Sequence, residues 1–227
     1  MAARVLPFIA YLAFLTVTQL VSYLYPSGAM VGEVSSFVTL WLYPVKVIVV
    51  LALLYRFWPC YDELSNRQFK SPKDLLIATV VGLLVYGAWV RMDWPWAMQS
   101  DSDGAGYDPF QAGAAAGVIL TMIRIFGAAV IVPLMEELFW RSFLIRYFIS
   151  SKFESVSLGT FTLFSFLATV VLFGLEHDLW LAGMMAGAAY NGVLYYTKRL
   201  WPCVLAHGIT NLTLGIHVLV TNEWRWW

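Results

Sequence analysis

The sequence predicts an all-α fold, a polytopic membrane helical bundle of about seven to eight transmembrane helices. Three observations carry that prediction. Apolar residues make up 60% of the chain and charged residues only 12%, about half the charge of an ordinary soluble domain. Mean hydropathy is +0.71. Apolar runs close to the length of about 20 residues that crosses a bilayer recur from one end of the chain to the other. The linkers are short, and no internal repeat or low-complexity segment separates the runs. Residues 1–227 therefore read as a single membrane domain.

The first run, Leu6–Tyr25, follows Arg4 and resembles a signal peptide. It outruns the usual apolar core of about 7–15 residues, so it is expected to be a retained first span. Phe37–Trp58 and Leu75–Val90 follow. Gly113–Tyr147 would reach roughly 50 Å as one helix. Arg124 interrupts its apolar character, and Pro133 is expected to kink or break it. Leu158–Gly174, Leu181–Tyr196 and Pro202–Val220 complete the set.

Loop charge decides whether Gly113–Tyr147 crosses once or twice. Arg56, Arg67, Lys70 and Lys73 make one basic loop, Arg146 with Lys152 another, and Lys198 with Arg199 a third. Asp93, Asp101, Asp103 and Asp108 make an acidic one. Basic loops favour the cytoplasmic side. A single crossing puts all three there, giving seven crossings with the N-terminus inside an integral, multi-pass protein, in the cell membrane if the source is bacterial.

Composition also excludes classes. Fourteen basic residues balance fourteen acidic ones, and no basic stripe offers a nucleic-acid footprint. Cys60 and Cys203 lack CxxC spacing, so neither a disulfide framework nor a cysteine metal site is suggested. NEWRWW carries no prenylation signal. Small residues in GAAAG (Gly113–Gly117) and AGMMAGAAYNG (Ala182–Gly192) suit close helix packing. Trp94, Trp96, Trp180, Trp201, Trp224, Trp226 and Trp227 lie near span ends, as an aromatic belt would.

Within this apolar chain, EELFWR places Glu136, Glu137 and Arg141 within six residues. Ionisable groups inside a membrane segment are costly and mark sites or pathways. Glu137 and Arg141 stand at i and i+4 and can meet. Glu136 points about 100° away, without that partner. The pair thus holds one structural carboxylate and one suited to general-base work. The alternative is a buried salt-bridge cluster that only sets packing.

All three histidines follow. FGLEH ends in His177, and HGITN places His207 and Asn211 on one helix face. An imidazole and an amide there can donate to a developing oxyanion. His177 can bind a water or a metal, or share a proton with Glu136. His217 fits no pattern and reads as structural. Glu176 and Asp178 flank His177 in a tight turn and are expected to be solvated, with a supporting role toward the His177 ring as the alternative. No metal is assigned. Glu136, His177 and His207 form a candidate zinc-ligand set with an open position, although no HExxH helix is present.

EELFWR, FGLEH and HGITN match, in order, the EExxxR, FxxxH and HxxxN motifs of the CAAX-prenyl-protease-like (CPBP or Abi) intramembrane proteases. The chain resembles that family over roughly Ala112 to His217, giving a motif-bearing core at about 112–220 and accessory helices at about 1–111. The resemblance implies that Glu136 activates a water with help from His177. It implies that His207 and Asn211 form an oxyanion hole, and that Glu137 and Arg141 support the site. The implied substrate is a membrane-associated, lipidated or secreted peptide, typically cut just after a prenylated cysteine, and the implied partners are membrane lipid and that peptide.

Two other classes compete: a non-enzymatic scaffold or immunity factor of the same fold, and a transporter with a Glu136–His177 proton pathway. The topology also sets a condition. It puts His177 at the extracytoplasmic end of a span and His207 roughly 8 Å in from the cytoplasmic side. They share a site only if the hairpin around Glu176–Trp180 stops short of the far surface, or if the orientation is reversed.

Overall fold

A computed structural model describes residues 1–24, 32–65, 72–99 and 106–227. Arg67, Lys70, Asp101 and Asp103, on which part of the loop-charge reading rests, lie outside the described residues. The described residues form seven principal helices and no strand. These are α1 (Ala2–Leu24), α2 (Gly32–Phe57), α3 (Pro72–Trp89), α4 (Ala114–Tyr147), α5 (Leu163–Leu175), α6 (Trp180–Thr197) and α7 (Trp201–Thr221).

Five helices, α1, α2, α3, α4 and α7, are long and apolar enough to cross a membrane. α5 has 13 residues and is about 20 Å long, short of a hydrocarbon core of about 30 Å. That shortness satisfies the first of the two conditions set by the topology, since the α5–α6 hairpin need not reach a far surface. α3 packs along α7, α5 against α6, and α1 against α2.

Gly183 and Gly187 do what their spacing predicts. A Cβ at Gly183 would lie 2.9 Å from the Cα of Gly174, and one at Gly187 would lie 3.2 Å from the Phe173 ring, so α6 closes directly on α5. Gly113 and Gly192 have open space where a Cβ would sit, so they are not packing glycines. Gly113 instead adopts φ +90 ahead of α4.

Pro133 does not break α4. A π-helical turn, Gly127–Ile131, precedes it, and the Val132 N–H closes that turn on the Gly127 carbonyl. An N–H normally pairs with the carbonyl four residues back, or five in a π turn. The Ala128 carbonyl therefore loses both of its helical donors. Val132 is committed to Gly127, and Pro133 has no N–H. A second π turn, Leu138–Leu144, follows Glu137 and carries Arg141. Such turns are frequent at functional sites.

α4 is pinned at its far end by a buried ionic cluster. Arg4 donates to both carboxylate oxygens of Glu63 at 2.7 Å and to the Cys60 carbonyl at 3.1 Å. Ser142 donates to Glu63 as well. Arg146, expected in a basic loop, is buried and donates to the Val156 carbonyl at 3.2 Å and the Ser142 hydroxyl at 2.9 Å.

Candidate active site

α4 carries Arg124, Ala128, Val132 and Glu136 along one stripe, and all four line a single cavity of about 220 Å³. Four-residue steps on a pure α-helix drift by about 40° each. The extra residue of the Gly127–Ile131 turn takes up part of that drift and keeps the stripe facing one way. His177, from the α5–α6 hairpin, and His207 and Asn211, from α7, line the same cavity. The structure therefore brings Glu136, His177, His207 and Asn211 together.

Glu136 is 4% exposed, and its Oε2 has no hydrogen-bond partner among the described residues. Glu137 is fully buried. Its Oε1 accepts from Arg141 at 3.1 Å and lies 3.0 Å from His207 Nδ1. Sequence spacing anticipated the first contact. The second joins residues 70 positions apart and has no local signal. Arg141 also donates to the Gly187 carbonyl at 3.3 Å and lies 4.4 Å over the Phe173 ring. The EELFWR cluster thus ties α4 to α5, α6 and α7 at once.

Ring nitrogens can be assigned from their partners. His177 Nδ1 lies 2.7 Å from the Phe173 carbonyl. A carbonyl only accepts, so Nδ1 carries the proton and Nε2 keeps its lone pair. The ring also meets Trp89 of α3 edge-on at 5.4 Å. In His207, Nδ1 is occupied by Glu137, leaving Nε2 as the free nitrogen. Tyr190 stacks on that ring at 5.0 Å and 19°, and its hydroxyl donates to Thr210 at 2.8 Å.

Asn211 Nδ2 donates to the Ala128 carbonyl at 2.9 Å, the acceptor that Pro133 leaves without a helical donor. One amide hydrogen is spent there and the second is free. Gly208, one turn earlier, permits the approach: a Cβ there would lie 2.7 Å from the Ala129 carbonyl.

Glu176 departs from its expected solvated state. It is half-buried and accepts from Trp140 Nε1 at 3.1 Å. Asp178 is exposed, as expected. Sequence reasoning missed Trp140, Tyr190 and Gln99. Gln99 clasps the hairpin from outside: its side-chain amide donates to the Leu175 and His177 carbonyls at 2.9 and 2.8 Å, and its N–H to Asp178 O at 2.9 Å. His217, read as structural, lies 2.9 Å from the Tyr86 hydroxyl.

Among the described residues no three His, Cys, Asp or Glu side chains come together as a ligand set, so Glu136, His177 and His207 do not form one.

An unpartnered carboxylate, two imidazoles and an amide thus line one cavity in a multi-pass membrane bundle. Residues 117–213 match the family described as type II CAAX prenyl endopeptidase, Rce1-like. That stretch holds all three motifs and is similar to that family, within an integral multi-pass membrane protein. The match supports a CAAX-type intramembrane endopeptidase in general. No curated protein and no solved structure matches the chain.

Proposed function

We propose that the chain hydrolyses a peptide bond of a membrane-associated substrate with a water activated by Glu136. The single observation that carries this reading is the unpartnered, buried Oε2 of Glu136 in a cavity shared with His177, His207 and Asn211. A water between Glu136 and His177 Nε2 gives its proton to the carboxylate and attacks the carbonyl carbon. His207 Nε2 and the second amide hydrogen of Asn211 receive the oxyanion. For His207 to donate there, the ring must carry a proton on both nitrogens. Glu137, paired with Arg141 at 3.1 Å and 3.0 Å from His207 Nδ1, is the carboxylate placed beside that ring. Glu137 and Arg141 thus act through His207. Residues 112–220 serve as the catalytic core, and Tyr11, Tyr43 and Trp89 bring the accessory helices to the cavity wall.

The substrate in this reading is a peptide with a lipidated or otherwise membrane-associated segment, a prenylated CAAX protein being the family's namesake. The purified protein is incubated with a CAAX-type peptide, farnesylated and unfarnesylated, beside the Glu136→Gln variant. Cleavage by the wild type, and a loss of about 10²–10⁴-fold in the variant, is the expected result. Cleavage that survives Glu136→Gln would falsify the role of this carboxylate. Proton-coupled transport without cleavage would restore the pathway reading.

A further inference from the structure

A helix leaves its last four carbonyls without a donor inside the helix. In α5 each of these has a donor from beyond it. The Leu172 carbonyl accepts from the Glu176 N–H at 3.2 Å, and the Gly174 carbonyl from the His177 N–H at 3.0 Å. The Phe173 carbonyl accepts from His177 Nδ1 at 2.7 Å. The Leu175 carbonyl accepts from the Gln99 side-chain amide at 2.9 Å. His177 therefore closes the helix with its backbone and with its ring, and the ring is held in place as a cap.

The position of His177 Nε2 thus depends on the last turn of α5. Nδ1 and Nε2 belong to one rigid ring, so the bond from Nδ1 to Phe173 fixes where Nε2 stands at the cavity that His177 lines. Helix ends fray, and a frayed last turn would carry the Phe173 carbonyl away from the ring. Gln99 opposes that. Its amide has two hydrogens to give, and they go to the Leu175 and His177 carbonyls at 2.9 and 2.8 Å. Its backbone N–H reaches the Asp178 carbonyl at 2.9 Å. One residue therefore holds Leu175, His177 and Asp178 together from outside the helix. The connection that carries Gln99 also begins at the ring, because Trp89, the last residue of α3, meets His177 edge-on at 5.4 Å. Trp96 of the same connection meets Trp180, the first residue of α6, at 6.2 Å.

We propose that Gln99 is a positioning residue for His177: it caps the end of α5 from outside and so keeps the His177 ring on the Phe173 carbonyl. That His177 acts on a reacting water rests on the hydrolase reading above. Gln99 itself does not line the cavity and touches no reacting atom. Its effect lies in where the Nε2 lone pair stands, and a misplacement of about 1 Å at a catalytic group costs about 10²-fold in rate. Loss of the side-chain amide leaves the cavity wall that meets a substrate in place, so kcat falls and KM does not follow. The N–H at position 99 still reaches Asp178 when the side chain alone is changed, so the connection stays on the hairpin and the loss is confined to the Leu175 and His177 carbonyls.

The test uses Gln99→Met, which keeps the length and removes the donors, and Gln99→Lys, which keeps donors at similar reach. On peptide cleavage, kcat is expected to fall about 10–100-fold in Gln99→Met with KM near wild type, and Gln99→Lys to recover part of that loss, with little change in thermal melting. The direct readout is nitrogen NMR of isotope-labelled histidine rings in detergent, in a chain with 3 histidines. The His177 ring is expected in the single Nδ1–H form in the wild type and as a mixture of both tautomers in Gln99→Met, with His207 and His217 unchanged. A mixed His177 ring already in the wild type, an unchanged one in Gln99→Met, or a change spread over all three rings would each overturn the assignment. So would full turnover beside a disturbed His177, or a rise in KM with kcat intact, which would move Gln99 to substrate binding. A disturbance of His177 alone, in a protein whose wild type cleaves no peptide, keeps Gln99 as the cap that holds this ring and removes the hydrolase reading.

Discussion

Two buried ionic clusters grip the same helix, and they are built to opposite ends. Toward the C-terminus of α4, Arg4, Glu63, Ser142 and Arg146 form a closed set, in which no buried side-chain atom lacks a partner. One and a half turns back, Glu136 and His207 line a cavity with Glu137 and Arg141 joined to them, and Glu136 Oε2, Glu137 Oε2 and Arg141 Nε have no partner among the described residues. Both clusters are buried, and both join distant segments. Burial of charge therefore does not by itself distinguish a site from a fastener. Unspent hydrogen-bonding capacity beside empty space does.

The sharpest way to break this comparison is to cut each cluster. Glu63→Ala strands the Arg4 guanidinium and is expected to cost about 3–5 kcal/mol of stability, read by denaturation in detergent, while turnover per folded molecule stays near wild type. A variant that folds normally but loses cleavage would show that the closed cluster is not a mere fastener. Asn211→Ala works in the other direction. It removes an oxyanion donor and is expected to lower turnover by about 10²–10³-fold, measured on peptide cleavage with melting followed in parallel. An equal loss of melting temperature and activity would reduce Asn211 to a packing residue.

A smaller effect comes from acid. Burial alone would raise the Glu63 carboxyl, but hydrogen bonds from Arg4 and Ser142 and the Arg4 charge hold it below the ordinary 4.5. Its folded form thus binds its proton less readily than its unfolded form. The stability it contributes is present above about 4.5 and is lost as pH falls through the lower folded value. Melting temperature should therefore drop as pH falls below about 4.5 in the wild type, and less steeply in Glu63→Gln. Identical acid profiles would remove Glu63 from the account.

Much of this was legible in the chain. Hydropathy gave the helices, and i, i+4 spacing gave the Glu137–Arg141 pair. The three motifs named the four cavity residues. What spacing could not reach were contacts between segments far apart in sequence: Glu137 with His207, Trp140 with Glu176, Gln99 with the hairpin carbonyls. Glu176 was expected to be solvated because turns usually are. A tryptophan one helical turn past Glu136 draws it inward instead. Pro133 was expected to break α4, since a proline removes a backbone donor. The helix continues through a π turn, and the Asn211 amide on α7 supplies the donor that the Ala128 carbonyl lacks, which is not a property of any single residue.

Pro133 has a consequence for anyone moving this chemistry to another scaffold. HGITN looks portable, five residues on one helix. Yet the amide of Asn211 is aimed by a carbonyl on α4 that is available because position 133 has no N–H to offer and the π turn commits the Val132 N–H to Gly127. Grafted opposite an ordinary helix, the same five residues would find that acceptor already taken, and the amide would be free to swing. The portable unit is therefore a pair of helices, one carrying the amide and the other carrying a missing hydrogen.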